Sequence, residues 1–472
     1  MKSDAKRSVL WSGIQNIANQ GIHFIITVII ARLLTPEDYG LVAMLAIFYA
    51  LAQAFIDSGL SGALIQKKNC TEKDYNSVFI FAVVVSSVLY AILFLCAPLI
   101  AKIYNNDLLI TLSRVYLTCL VINAIGIVPM TIIHKELQFK QFAYITTAIN
   151  IFAGAVAIAT AYSGLAYWAL VFQILITSVL STIAYYVRTR WKPTFQFSIE
   201  SFKSMISYGF PVMLTSIVHA IYNNIYSLVI GAKYESRELG LYNRAYSFSC
   251  LVPTTFSNFT MRAMFPVLAR IQDNLDELRV KVLEMLHLSL YVVVPVNVYL
   301  IFNSADVIKI VLGDKWLELV PYLTVLCISC VSYVYTNMHM TTFKTIGKTK
   351  NLFISETVRK VLGLLTVVVT VPYGVMTMVY GLLAYSIIDI IISAFFLDSC
   401  IKIGVLDQLK ASATPILFSI AAGCTNWLIS LLLPEQLYVR FILCLIAYTG
   451  SYALLSVIFK ERGISFLKNY FK

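Results

Sequence analysis

The sequence predicts an all-α integral membrane protein of about fourteen transmembrane helices, forming two pseudo-symmetric six-helix lobes around a central cleft, with two extra helices. Three observations carry this prediction. Of 472 residues, 59% are hydrophobic and only 13% charged, with a mean hydropathy of +0.80, whereas a soluble domain carries about 25% charged residues. Apolar runs of roughly 20 residues, enough to cross a hydrocarbon core of about 30 Å, recur along the whole chain. The segment around Arg32 also has an echo 200 residues later, which makes the lobes repeats.

In chain order the spans fall at 10–32, 41–66, 78–101, 109–132, 143–162, 165–187, 207–232, 243–268, 282–304, 317–342, 352–372, 376–398, 412–432 and 438–459. YSGLAY separates the fifth span from the sixth and VPYG the eleventh from the twelfth, each a tight uncharged turn built on glycine. The remaining loops are mostly under about fifteen residues, too short to hold a soluble domain, so the function belongs within the membrane. Residues 1–200 form the first lobe and 201–400 the second. Residues 401–472 hold the last two spans and a tail, ERGISFLKNYFK, suited to lie on the cytoplasmic surface. The first apolar run is too long, and its leading half WSGIQNIANQ too polar, for a cleavable leader.

The net charge of +12 is a topology signal and not a nucleic-acid patch. With an even number of spans and a cytoplasmic N-terminus, one set of loops includes QKKNCTEKDY, HKELQFKQ, RTRWKP, FKTIGKTK, VRK and the tail. That set collects 26 of the 36 lysines and arginines, against nine on the other side, with Arg262 alone deep in a span. The bias places both termini in the cytoplasm. Seven of the nine cysteines lie in spans, with Cys400 just past the end of one and Cys70 in a loop; Cys327 and Cys330 read as small polarizable packing residues and not as a redox pair.

The echo aligns IIARLLTPEDYGL (29–41) with VIGAKYESRELGL (229–241), matching Ile30 with Ile230, Gly40 with Gly240 and Leu41 with Leu241. The same shift carries Asn16, Asn19 and His23 onto Ser216, His219 and Asn223. Both triplets are spaced i, i+3, i+7, so each forms one polar stripe on an apolar helix. A second echo sets ATAYSGLAYWALV against TVPYGVMTMVYGLL, with Gly164 opposite Gly374. Six spans separate equivalent elements, so the halves are like-oriented, a parallel repeat about an axis along the membrane normal.

Polar residues inside spans mark the candidate site, because each is costly there. On the eighth span Arg244, Ser247, Leu251, Thr255, Asn258 and Arg262 share one face. Arg244 and Arg262 either face a cavity or snorkel to headgroups from the two ends, and Asn258 and Thr255 continue the stripe between them. The seventh span adds Thr215, His219, Asn223 and Tyr226, and the first adds Gln15, Asn16, Asn19, Gln20 and His23. A shared wet cleft accounts for both stripes, although an intramembrane histidine also serves simply as a hydrogen-bonded packing residue. Acids are few: Asp57, Glu356 near Arg359 and Lys360, and Asp389. Asp389 has no local partner in sequence. It binds a coupling proton or sodium, or pairs with a cation on another helix. Arg114 reads equally as a snorkeling residue or a site. The chain has no Gly-rich phosphate loop, no HExxH and no zinc spacing. No ATP-hydrolysing segment or cofactor is expected, and the protein reads as a non-enzyme. Two other classes stay open, a cation-coupled multidrug or small-molecule antiporter and an intramembrane glycan polymerase. NSADVIKIVLGDKWLELV, the longest outer segment, is short for the latter.

WSGIQNIANQGIHFIITVIIARLLTPEDYGLVAM, IDSGLSGALIQKKNCTEKDYNSVF, HKELQFKQFA, GLYNRAYSFSCLVPTTF and MFPVLARIQDN follow one another in order. Together they resemble the Wzx-type polysaccharide flippases, and most closely the WzxC-like branch of the multidrug/oligosaccharidyl-lipid/polysaccharide exporter superfamily. The resemblance implies flipping of undecaprenyl-pyrophosphate-linked oligosaccharide from the cytoplasmic to the periplasmic leaflet of a bacterial inner membrane by alternating access. It also implies a polysaccharide polymerase and a chain-length regulator as partners, with the flippase itself a monomer. On that reading Arg244 and Arg262 neutralise the pyrophosphate, for which a planar guanidinium is suited, and the Asn, His and Tyr stripes bond sugar hydroxyls. The related lipid II flippases carry arginines within the first helix. Here no arginine in the first span precedes Arg32, which argues against lipid II as substrate.

Overall fold

The computed structural model describes residues 20–57, 59–136, 139–194, 196–434 and 436–461, without the side chains of 139–141 and 262–263. All regular structure in these residues is helical. In chain order come α1 (Gln20–Leu33), α2 (Pro36–Asp57), α3 (Leu60–Gln66), α4 (Glu72–Leu95), α5 (Ala97–Ile103), α6 (Leu108–Tyr116), α7 (Thr118–Lys135), α8 (Phe139–Tyr162), α9 (Trp168–Thr189) and α10 (Ile199–Lys233). Then follow α11 (Ser236–Arg270), α12 (Leu275–Phe302), α13 (Ser304–Val311), a 3-10 turn (Asp314–Leu319), α14 (Val320–Cys330), α15 (Ser332–Thr345), α16 (Thr349–Thr370), α17 (Val375–Ile401), α18 (Val405–Ser430) and α19 (Leu437–Ile458).

Among the described residues eleven segments are long and apolar enough to cross a membrane. Thirteen of the fourteen expected spans coincide with helices, and of the first, 10–32, only residues 20–32 are described, within α1. The three outside the eleven are α1, whose described part is short, and α11 and α16, which carry the internal charges Arg244, Arg262, Glu356, Arg359 and Lys360. Both expected seams are turns in which glycine holds a positive φ, 79° at Gly164 and 103° at Gly374, a conformation open to glycine at little cost. The second span divides into α2 and α3 at Gly59, with φ 64°. A Cβ there would lie 2.8 Å from the Gly209 carbonyl oxygen, so the break also admits α10.

The chain divides into two compact units, Met1–Gly240 and Leu241–Lys472. In the first, α2 packs along α10, α7 along α9, α8 along α9 and α4 along α7. In the second, α12 packs along α18, α16 along α17, α18 along α19 and α14 along α17. Helix α10, whose apolar core opens the second lobe in the sequence, thus packs on helices of the first unit. Cys250 of α11 is bonded to Cys330 of α14, and Cys327 stays a buried free thiol.

Proline inside a helix removes the N–H that would bond the carbonyl four residues earlier, and no water is available in lipid to replace it. Four of the prolines here are answered by a side chain from a neighbouring helix. For Pro129 the Ile125 carbonyl accepts from Tyr186 Oη at 3.1 Å. For Pro253 the Ser249 carbonyl accepts from Asn297 Nδ2 at 3.4 Å, and the same amide donates to the Cys327 carbonyl at 2.8 Å. For Pro295 the Tyr291 carbonyl accepts from Tyr452 Oη at 3.0 Å, and for Pro415 the Ala411 carbonyl accepts from His287 Nδ1 at 2.5 Å. These prolines thus mark interhelical joints.

Candidate functional site

Threonine before proline starts α2 by a reciprocal cap: Asp38 Oδ2 accepts from Thr35 N at 2.8 Å and from Thr35 Oγ1 at 2.9 Å, while Thr35 Oγ1 accepts from Asp38 N at 3.3 Å. One turn later Gly40 meets the start of α11. A Cβ on Gly40 would lie 1.8 Å from the Ser236 carbonyl oxygen, and one on Gly240 would lie 1.9 Å from the Pro36 carbonyl oxygen. The two glycines matched by the internal repeat therefore face each other's helix start in the same way, backbone against backbone. Glu37 and Arg237 close the crossing with an ion pair at 2.6 Å, both about two-fifths exposed.

In the first unit α10 buries Met205, Gly209, Ile230 and Gly231. Its middle leaves Thr215, His219 and Asn223 exposed and Tyr226 half-buried. The Thr215 hydroxyl turns back onto the Pro211 carbonyl at 2.9 Å, so imidazole and amide are the polar groups this face presents. His23 on α1 is exposed as well, while Asn16 and Asn19 lie outside the described residues. Asp57 is half-buried at the end of α2 and accepts from Ser61 Oγ at 2.6 Å.

In the second unit the stripe on α11 is mixed. Ser247 and Asn258 are exposed and Thr255 is half-buried. Arg244 is only 9% exposed, with its guanidinium carbon 5.8 Å from the centre of the Trp316 ring, a distance at which cation and ring attract. The Ser247 hydroxyl returns to the Asn243 carbonyl at 2.7 Å. Arg262 sits in α11, one turn past Asn258, with its side chain outside the described set.

Asp389 is paired with a cation on another helix. Arg359 Nη1 of α16 donates to Asp389 Oδ1 of α17 at 3.0 Å, Tyr385 Oη donates to the same oxygen at 3.2 Å, and Arg359 Nη2 also meets Glu356. Lys360 lies 3.7 Å from Glu356. Two acids and two bases thus balance inside the α16–α17 hairpin, with Arg359 buried. Sequence spacing along one helix does not show this pair, but Arg359 and Asp389 stand nearly equidistant from the Gly374 turn, which sets them at one depth. A second buried cluster lies apart from the expected site, although His339 falls inside the 317–342 span: His339 on α15 bonds Ser393 Oγ at 2.7 Å through Nδ1 and Gln408 Oε1 at 2.8 Å through Nε2. Both ring nitrogens are engaged, which identifies it as a joint between α15, α17 and α18. Among the described residues no group of three His, Cys, Asp or Glu side chains is placed to hold a metal.

A family model described as polysaccharide biosynthesis protein matches residues 29–321. The lipopolysaccharide biosynthesis protein WzxC of Escherichia coli (strain K12) is 24% identical over 324 residues, 67% of this chain and 65% of that protein. The teichuronic acid biosynthesis protein TuaB of Bacillus subtilis (strain 168) is 25% identical over 424 residues, 89% of this chain and 88% of that protein. Among solved structures, the lipid II flippase MurJ in its inward closed conformation superposes with a TM-score of 0.80 at 17% identity, covering 96% of this chain and all of that one. That likeness is one of fold.

Proposed function

Because the chain belongs to the polysaccharide biosynthesis protein family, we propose that it is a flippase carrying undecaprenyl-pyrophosphate-linked oligosaccharide units from the cytoplasmic to the periplasmic leaflet of a bacterial inner membrane. The observation that carries this reading is the pair of polar faces inside hydrophobic helices, His219 and Asn223 on α10 and Asn258 on α11, exposed where a lipid-facing helix would show only apolar groups. Amides and imidazole offer donors and acceptors together, which suits sugar hydroxyls. Arg262, in register with Asn258, and Arg244 supply the positive charge a pyrophosphate needs. A polymerase and a chain-length regulator would take the flipped unit onward, and the carrier would act as a monomer.

Asp389, Glu356 and Asp57 are the carboxylates through which protons or sodium would couple to transport. Protonating Asp389 would remove the charge that holds Arg359 and loosen the α16–α17 hairpin. For a cationic drug, by contrast, Asp389 offers little, since a guanidinium already occupies it.

The test follows polymer at the cell surface in a strain lacking the native gene, with protein level checked by immunoblot. Replacing Asn223 and Asn258 together with Ala should cut polymer about tenfold, as expected for the loss of one to two net hydrogen bonds to substrate. Arg262→Ala should do the same. Full polymer from both variants at normal protein level would refute the reading. Drug resistance gained in pump-deficient cells would favour the antiporter instead, and elongated product from purified protein would favour a polymerase.

A further inference from the structure

A groove of about 500 Å³ opens on the first unit, lined by Ile145 of α8 and by Ala184, Val187, Arg188 and Arg190 at the end of α9. None of these residues belongs to the polar faces assigned to transport. The last turn of α9 explains why two arginines reach one groove. Arg190 ends the helix in the left-handed region, φ 53°, with its N–H on the Tyr186 carbonyl at 2.9 Å. A non-glycine residue there carries strain and needs an anchor. Trp191 supplies it, since it is buried and its Nε1 donates to Glu72 Oε2 at 3.1 Å. A cation at a helix C-terminus complements the helix dipole. Arg188 and Arg190 bring two such cations to one groove, beside an apolar floor of Ile145, Ala184 and Val187.

The floor continues along the helix. Val187 is 72% exposed and Ile183 53% exposed, and Val179 extends the same face. At 1.5 Å per residue the three span about 12 Å. Positive charge at one end of an exposed apolar track matches a phosphodiester headgroup with an acyl chain below it. Basic pockets between transmembrane helices take anionic lipid headgroups in this way, and a guanidinium fork meets phosphate through two parallel bonds. A free phosphate ion shares the headgroup chemistry but gains nothing from the apolar track.

We propose that this groove binds one anionic phospholipid of the surrounding membrane, with its phosphate between Arg188 and Arg190 and an acyl chain along Val187, Ile183 and Val179. The full chain, purified and delipidated in detergent, would be titrated with phosphatidylglycerol, phosphatidylcholine and inorganic phosphate and read by native mass spectrometry. Phosphatidylglycerol should be retained well above phosphatidylcholine. The double variant R188Q/R190Q should bind it roughly thirty-fold more weakly, the loss expected for two cationic headgroup contacts. R188K/R190K, which keeps the charge but loses the forked bonds, should bind with an affinity between those of the parent and R188Q/R190Q, and V187N should weaken phosphatidylglycerol by interrupting the apolar track. Both arginines are exposed, and the thermal midpoint of R188Q/R190Q without lipid, compared with the parent's, separates loss of lipid binding from loss of folding. Equal retention of the two lipids, undiminished binding by R188Q/R190Q, or capture of inorganic phosphate without lipid would each overturn the assignment.

Discussion

A guanidinium 6% exposed in the middle of an apolar helix has to be neutralised where it stands. Arg359 is neutralised twice, by Asp389 and by Glu356. Removing one partner of a buried pair leaves the other charge stranded and costs about 3–5 kcal/mol, whereas replacing both with apolar groups is often nearly neutral. Arg359→Met should therefore lower the thermal midpoint of the purified protein sharply, and R359M/D389L should recover most of it. Equal losses in the two variants would show that the residues do not act as a pair. The joints at the prolines are milder. Tyr186→Phe and Tyr452→Phe should each cost about 0.6 kcal/mol and no more than roughly 1.7, the range for side-chain bonds within bilayers, measured by unfolding in detergent. At this scale the sequence marked Asp389 as expensive because one carboxylate in an apolar run is conspicuous. Its partner was not legible along either helix alone, and only the equal distance of Arg359 and Asp389 from the Gly374 turn points to it.

The crossing of α2 with the start of α11 is a property of elements. Its closeness comes from two missing side chains, since any Cβ at Gly40 or Gly240 would overlap a carbonyl oxygen. The Glu37–Arg237 pair is exposed and contributes at most about 1 kcal/mol. Gly40→Val should accordingly disturb the crossing far more than Arg237→Gln. Cysteines placed by Glu37→Cys and Arg237→Cys should be joined by a short bifunctional thiol reagent in the parent background and fail to be joined when Gly40→Val is added. Unchanged cross-linking would refute the close approach. The repeat made the equivalence of Gly40 and Gly240 legible, because both sit in the same local pattern of helix start and glycine. That the two equivalents touch was not legible, since internal similarity says nothing about contact. Element boundaries show the same division. Gly164 and Gly374 announced their turns through conformational need, whereas the break at Gly59 between α2 and α3 lay inside one continuous apolar run.

At the scale of the molecule, hydropathy and the distribution of basic residues were enough to place the spans, because lipid imposes length and polarity on every crossing segment at once. The same asymmetry makes orientation testable. In a background with the nine native cysteines replaced, Lys102→Cys should react with an impermeant thiol reagent added outside intact cells. Lys68→Cys should react only after the membrane is opened. Both positions are exposed, so the reverse pattern would invert the topology and the proposed direction of transport. The polar faces of α10 and α11 were legible for the opposite reason to the spans, as local violations of the apolar rule. The seating of Arg244 on Trp316 was not, because those residues are remote in sequence.

Three of the four proline joints share one member. Asn297, Pro295 and His287 all belong to α12, and through them that helix is fastened to α11, α19 and α18. Bending at any of these prolines strains a bond anchored on the same rod. The second unit should therefore resist piecemeal deformation and yield, if it yields, as a linked set, and a lesion on α12 should loosen several helices together.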